Sequence, residues 1–271
     1  MSPFVAVAVV LVGFGSGILS GMFGVGGAVL TTPGIRAFGA TPIEAVGSTI
    51  PAILPGALSG AYRYARAGMV EWSVALYSGV FGTAFAVMGA EASDHVDGHY
   101  LMVLTAALLL WTGVRNVAEH RRLSAPVPVS AGGGAVDARP PEETAPRSPG
   151  PLATSAIGAA AGLLAGLLGV GGGILLVPAF VSLLRMPPKR AVATSLVAVA
   201  MLSVPAMITH ALLGHIDWAF ALLLVIGVVP GAQVGAKLTI HGSEERLRFL
   251  MGVFFTVLAL GYGLAEIRSA L

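Results

Sequence analysis

Apolar residues run along this chain in long blocks, and polar residues gather in short intervals between them. Blocks of about 20 apolar residues, the length a helix needs to cross a bilayer, lie at 3–22, 43–62, 71–92, 99–118, 151–168, 190–212, 217–238 and 246–267. Two shorter blocks, 28–38 and 173–184, follow the first and the fifth and are too short to span. The pattern therefore predicts an all-α, polytopic integral membrane protein. One polar interval is long. Residues 119–150, rich in Pro, Gly, Ala and charge, cannot bury enough apolar surface to fold alone and read as a disordered linker.

The blocks on either side of that linker repeat. Residues 13–28, GFGSGILSGMFGVGGA, and 158–173, GAAAGLLAGLLGVGGG, share six glycines at one offset. In the first copy these are Gly13, Gly17, Gly21, Gly24, Gly26 and Gly27; in the second, Gly158, Gly162, Gly166, Gly169, Gly171 and Gly172. Pro33 answers Pro178, AVGST (45–49) answers AVATS (191–195), and GMVEW (68–72) answers GHIDW (214–218). A duplicated half is the simple explanation. It gives a first membrane repeat over 1–118, the linker over 119–150, and a second repeat over 151–271. Each repeat holds a glycine-broken helical hairpin followed by three transmembrane helices.

Composition agrees with the membrane reading. The chain is 56% hydrophobic and 10% charged, against about 25% charged in soluble domains. It has no cysteine, so thiol catalysis, disulfides and thiolate metal sites are excluded. The N-terminus carries no Lys or Arg before its apolar run, which suits a first membrane helix better than a signal peptide.

The placement of charge decides orientation. If each short block returns to the side it came from, each half crosses the membrane an odd number of times and the second half is inverted. Of the 15 Lys and Arg, that arrangement leaves only Arg36 and Arg268 on one side. A parallel arrangement divides them almost evenly. Positive charge marks the cytoplasmic side, so the pattern predicts two inverted-topology repeats, both termini outside and the linker in the cytoplasm.

Chemistry is concentrated at the glycine breaks. Gly13, Gly17 and Gly21, with Gly158, Gly162 and Gly166, recur every four residues and suit close helix packing. The stretches Gly24-Val25-Gly26-Gly27 and Gly169-Val170-Gly171-Gly172-Gly173 are too glycine-rich to favour helix. Non-helical backbone at membrane depth is tolerated where it is buried in protein or lines a cavity. Each break is a tight turn in a structural hairpin or an anion site. For the second reading, the helix that begins after it would offer free N–H groups and a positive dipole end. The near-absence of acids and bases inside the blocks favours the second reading. Thr31, Thr32, Ser48, Thr49, Thr194 and Ser195 are the hydroxyls near the breaks or early in the next helix, and Gln233 is an amide well inside a block. Tyr62, Tyr64 and Trp72, at block ends, read as interface anchors. The His95/His99 pair has metal-like spacing but no third ligand, so no metal and no cofactor are expected.

Two copies of G-x3-G-x2-G-V-G-G, each followed by a proline, in a cysteine-free membrane protein of this length resemble the sulfite exporter TauE/SafE family. The resemblance implies a bacterial inner-membrane permease for sulfite, organosulfonates or related oxyanions, with the two GVGG loops and the Ser/Thr positions after them facing substrate. The expected partners are a small anion and the lipid bilayer, with no nucleic acid; a coupling ion, H⁺ or Na⁺, is left open. A non-transporting membrane assembly protein is the alternative. An intramembrane hydrolase using Ser16 or Ser20 is a weaker one, because the blocks supply no base beside them.

Overall fold

The computed structural model describes residues 2–93, 150–168 and 172–270, with Ala107, Leu110, Trp111, Gly113 and Val114 between. The 99–118 block and the linker therefore fall almost wholly outside the described residues. So do His95 and His99. Among the described residues there are helices and no strands.

The first half contributes α1 (Pro3–Phe23), α2 (Ala28–Arg36), α3 (Pro42–Arg66) and α4 (Trp72–Ser93). The second contributes α5 (Pro151–Leu168), α6 (Gly173–Ser182), α7 (Pro188–Leu212), α8 (Trp218–His241) and α9 (Glu244–Ala270). Helix starts follow local chemistry. Ser2 accepts from Val5 N–H, with Pro3 next, where a missing N–H does no harm. Thr41 and Glu44 form a capping box on α3. Asp217 accepts from the N–H groups of Ala219 and Phe220 at the start of α8. Helices α1, α4, α7 and α8 are long and apolar enough to cross a membrane. At 9 and 10 residues, α2 and α6 are not. Val12 of α1 faces Gly34 of α2, so α2 folds back along the helix before it.

The halves exchange helices. The first helix of each half packs along the fourth helix of the other: α1 on α8, and α5 on α4. Glycine makes both seams. A methyl group on Gly13 would lie 2.8 Å from the Leu224 carbonyl oxygen, and one on Gly17 would lie 2.9 Å from Val228 Cα. Gly227, Gly231 and Gly235 of α8 are equally tight against α1. In the other seam, a methyl on Gly162 would lie 2.6 Å from Gly82 Cα, and one on Gly158 would lie 2.7 Å from the Ser78 carbonyl carbon. Small residues let backbones approach this closely, and membrane helices associate by such packing because lipid offers no hydrophobic drive between them.

The contacts also fix directions. Gly13 meets Leu224 and Gly21 meets Ala232, so α1 and α8 run the same way. Ser59 bonds the Val229 carbonyl and Arg63 the Gln233 carbonyl, so α3 joins them. Gly158 meets Ser78 and Gly162 meets Gly82, so α5 follows α4, as does α7, where Met201 meets Gly79 and Leu202 meets Gly82. Between the two sets the order reverses: Gly60 lies by Leu196, but Gly47 lies by His215. Helices α1, α3 and α8 thus run one way and α4, α5 and α7 the other.

The main core surrounds the glycine breaks. Phe23, Val25, Tyr64, Leu176, Val177, Phe180 and Leu196 are among its buried members. Outward faces are apolar too: Leu76, Val80 and Phe81 of α4 and Leu222 and Ile226 of α8 are exposed. That surface suits lipid rather than water.

Candidate functional site

Helix α1 stops at Gly24, whose φ of +71° is left-handed and whose N–H bonds the Ser20 carbonyl. Gly26 (φ +78°) and Gly27 (φ +54°) are left-handed as well. Three such residues in four positions explain the glycine run, since any side chain would be strained there. In the second break Gly172 takes φ +61°, the counterpart of Gly27. Both glycines are N-caps, of α2 and α6, and neither start has a side-chain capping bond. The starts of α1, α3 and α8 are capped by side chains, and that of α7, after Pro187, is not. The first N–H groups of α2 and α6 keep their donor capacity and carry about half a positive charge at each end.

The two breaks meet. A methyl on Gly173, the first residue of α6, would lie 2.7 Å from Val25 Cα, and the Gly24 carbonyl oxygen is closer still. Gly24 in turn rests against Ser195 Oγ, Val177 and Val192. Gly24, Val25, Gly26, Gly172 and Gly173 are buried and Gly27 is half-buried. Gly169, Val170 and Gly171 lie outside the described residues.

The candidate hydroxyls sort into two groups. Near the breaks, Thr31 Oγ1 donates to the Gly27 carbonyl at 3.2 Å. Ser195 Oγ lies 3.2 Å from the Gly24 carbonyl oxygen and 2.9 Å from that of Val192, so it spans from α7 to the first break. Thr32 and Thr49 hydroxyls approach at 3.4 Å, and Thr49 also donates to the Val46 carbonyl at 2.9 Å. Ser48 and Thr194, by contrast, clamp loops. Ser48 Oγ accepts the Asp217 N–H at 2.8 Å, and Thr194 Oγ1 accepts the Glu71 N–H at 3.1 Å. Each holds the residue just before the fourth helix of the other half. Gln233 is exposed on α8, and its backbone carbonyl accepts from Arg63 at 3.4 Å.

Tyr64 is not an interface anchor. It is fully buried and donates to the Gly21 carbonyl at 2.8 Å, while Tyr62 and Trp72 are exposed as anchors would be. Gly21 has no Cβ to cover its own carbonyl, and a phenol fits where a smaller residue would leave a void. Two serines of α1 also belong at the first break. Ser16 Oγ donates to the Gly27 carbonyl at 2.5 Å, and Ser20 packs beside Gly27; both are 2% exposed. Their i, i+4 spacing facing the break was the available signal.

These features define a class: a helical membrane protein with two short helices that each follow a glycine break, the second break resting against the first, inside two reciprocally packed halves. The model for the sulfite exporter TauE/SafE family matches residues 9–262, and the chain belongs to that family. It is similar to a "Probable membrane transporter protein" of Xylella fastidiosa strain 9a5c, 28% identical over 254 residues covering 92% of this chain and 90% of the relative. It is also similar to the "Probable membrane transporter protein YunE" of Bacillus subtilis strain 168, 27% identical over 264 residues covering 91% of this chain and 93% of that one. A third relative is the "Probable membrane transporter protein MJ0441" of Methanocaldococcus jannaschii, 22% identical with 93% and 92% covered. No solved structure matches the chain.

Proposed function

We propose that this protein is a secondary permease for small sulfur-containing oxyanions, sulfite or an organosulfonate, working by alternating access of two inverted halves in the bacterial inner membrane. The observation that carries the reading is the meeting of the two breaks, each opening a helix whose N-terminus no side chain caps. Magnitudes support it. An ion taken from water into a protein interior loses several kcal/mol even after relaxation. A partly buried helix end returns up to about 2 kcal/mol, and each hydrogen bond to a charged group about 1.5–3 kcal/mol. Two helix ends and one or two hydroxyls are of the right size to offset the loss without a cationic side chain. Tight trapping is not needed in a transporter, which must also release.

The opposed directions of α1 and α5, α3 and α7, and α4 and α8, which correspond in the repeat, favour inversion. Sulfur oxyanions are favoured by the family's description as sulfite exporters. The termini lie outside and the linker inside in this reading, on the charge distribution. The protein is not an enzyme in this account: Ser16 spends its hydroxyl on a carbonyl, and neither Ser16 nor Ser20 has a base as hydrogen-bond partner among the described residues.

Purified protein in liposomes should move sulfite or a small sulfonate, and Gly26→Val should abolish that flux while the protein still reaches the membrane. A broad oxyanion panel giving neither flux nor binding would sink the proposal. Full transport by Gly26→Val would reduce the break to a structural turn.

A further inference from the structure

Helices α3 and α8 lie side by side in one register. Ser59 Oγ donates to the Val229 carbonyl and Arg63 Nη1 to the Gln233 carbonyl, each reaching 170 residues along the chain. Because the two helices run the same way, that register sets Lys237 level with Ala67 and beside Arg66. Leu58, Tyr62 and Arg66 recur at every fourth position of α3 and are exposed. Ile226, Gln233 and Lys237 share one face of α8 and are exposed as well. The furrow between the helices is therefore apolar along its length and cationic at its end.

Three cations gather at that end. Arg63 is half-buried and turned across to α8. The Arg66 guanidinium lies 5.9 Å from the centre of the Tyr62 ring, within cation–π reach. Lys237 stands one turn beyond Gln233. None of the three pairs with a carboxylate among the described residues, whereas Arg190, at the same end of the bundle, pairs with Glu71. The repeat supplies a second furrow for comparison, between α7 and α4, which also pack together and run the same way. At the offset that relates GMVEW to GHIDW, Tyr62, Arg63 and Arg66 become Ile208, Thr209 and Leu212, and Gln233 and Lys237 become Val87 and Glu91. Those five positions hold no cation. Both furrows were kept after duplication, and the positive charge stands in one of them.

We infer that the α3–α8 furrow binds an anionic phospholipid, its headgroup phosphate on Arg63, Arg66 and Lys237 and an acyl chain along Leu58 and Ile226. Helix α8 is long and apolar enough to cross a membrane, so its last turns lie at headgroup depth, where Tyr62 is also at home. Guanidinium groups match phosphate oxygens in geometry as well as charge, and basic pockets between helices on the positively charged side hold such headgroups. The Tyr62 hydroxyl and the Gln233 amide add neutral donors. Gln233 then faces lipid and not a pore. A soluble anion would use the cations but leave the apolar strip beneath them idle; a lipid uses both. The inference needs the membrane fold alone and is independent of which anion the protein moves.

The test is native mass spectrometry of the purified full-length protein in detergent, titrated with phosphatidylglycerol or with phosphatidylcholine of the same acyl chains. Phosphatidylglycerol should bind about tenfold tighter or more. Arg66→Gln combined with Lys237→Gln should weaken phosphatidylglycerol binding about twentyfold, at about fivefold for each cation removed from a membrane surface. Phosphatidylcholine binding should stay within about twofold. Both side chains are exposed, and Arg66→Lys combined with Lys237→Arg, which keeps both charges, should retain most of the binding. Arg190→Gln removes a charge at the same end but outside the furrow and should change phosphatidylglycerol binding by less than about twofold. Equal affinity for the two lipids, or as large a loss in Arg190→Gln as in the furrow variant, would overturn the inference. Inorganic phosphate binding as tightly as phosphatidylglycerol would overturn it too, since the cations would then hold a soluble anion. Either failure leaves the permease reading standing, because sulfite flux tests that reading separately.

Discussion

Ser48 and Thr194 sit at opposite ends of the bundle and make the same bond. Each accepts a backbone N–H from the loop that leads into the fourth helix of the other half. Around these bonds the two ends differ. At one, Glu71 also pairs with Arg190. At the other, the corresponding residues are Asp217 and Glu44, two acids, and each carboxylate accepts a backbone N–H at the start of its own helix. The duplicated part is thus the neutral bond to the backbone, and the part that diverged is charge. Energetics agree with that division. Deleting the hydroxyl strands a partly buried N–H at about 1–3 kcal/mol. The Glu71–Arg190 pair is 40% and 48% exposed, and such exposed pairs contribute about 0–1 kcal/mol.

That contrast can be broken or sharpened at three scales. The largest effect belongs to the seams that hold both ends. Gly17→Leu in the α1–α8 seam and Gly162→Leu in the α4–α5 seam should each force backbones apart, with a loss beyond about 3 kcal/mol by overpacking and little folded protein in detergent by size-exclusion chromatography. A severe loss in one and none in the other would mean the halves are not packed alike. Next come the clamps. Ser48→Ala and Thr194→Val should each lower the melting temperature by an amount reflecting about 1–3 kcal/mol, and the two should be similar. A large inequality would tie stability to the charge difference instead. The smallest effect is expected at the ion pair. Arg190→Gln should destabilise by no more than about 1 kcal/mol, and raising the salt concentration should erase the difference from wild type; a salt-insensitive loss would show the pair to be more than a surface contact.

Much of this was legible in the sequence, and the failures have physical causes. The glycine periods marked both seams and both breaks, because glycine takes a left-handed φ without strain and lets backbones come this close. The matched stretches GMVEW and GHIDW were visible as a repeat, and so were AVGST and AVATS. Their meeting was not, because Thr194 and Glu71 are 123 residues apart and Ser48 and Asp217 are 169 apart. Without that link, Ser48 and Thr194 read only as pore hydroxyls, and the loop amide that each accepts is not visible. Tyr64 misled for a related reason. A tyrosine at a helix end usually sits at the membrane surface, and only the carbonyl bared by Gly21, 43 residues away, draws it inward. Helix α3, with its terminal charges and two internal prolines, is less apolar than α1, α4, α7 and α8.

The exchange of helices between halves has a consequence for how the protein is made. Helix α1 is made before the other described helices, but the surface that fits its glycine face belongs to α8, and the bond from Thr239 to Met22 joins residues 217 apart. The face of Gly13, Gly17 and Gly21 must wait in the membrane until nearly the whole chain has been inserted. Helix α5 waits for nothing, because α4 is already there. The order of synthesis favours closing the seam between α4 and α5 before the α1–α8 seam.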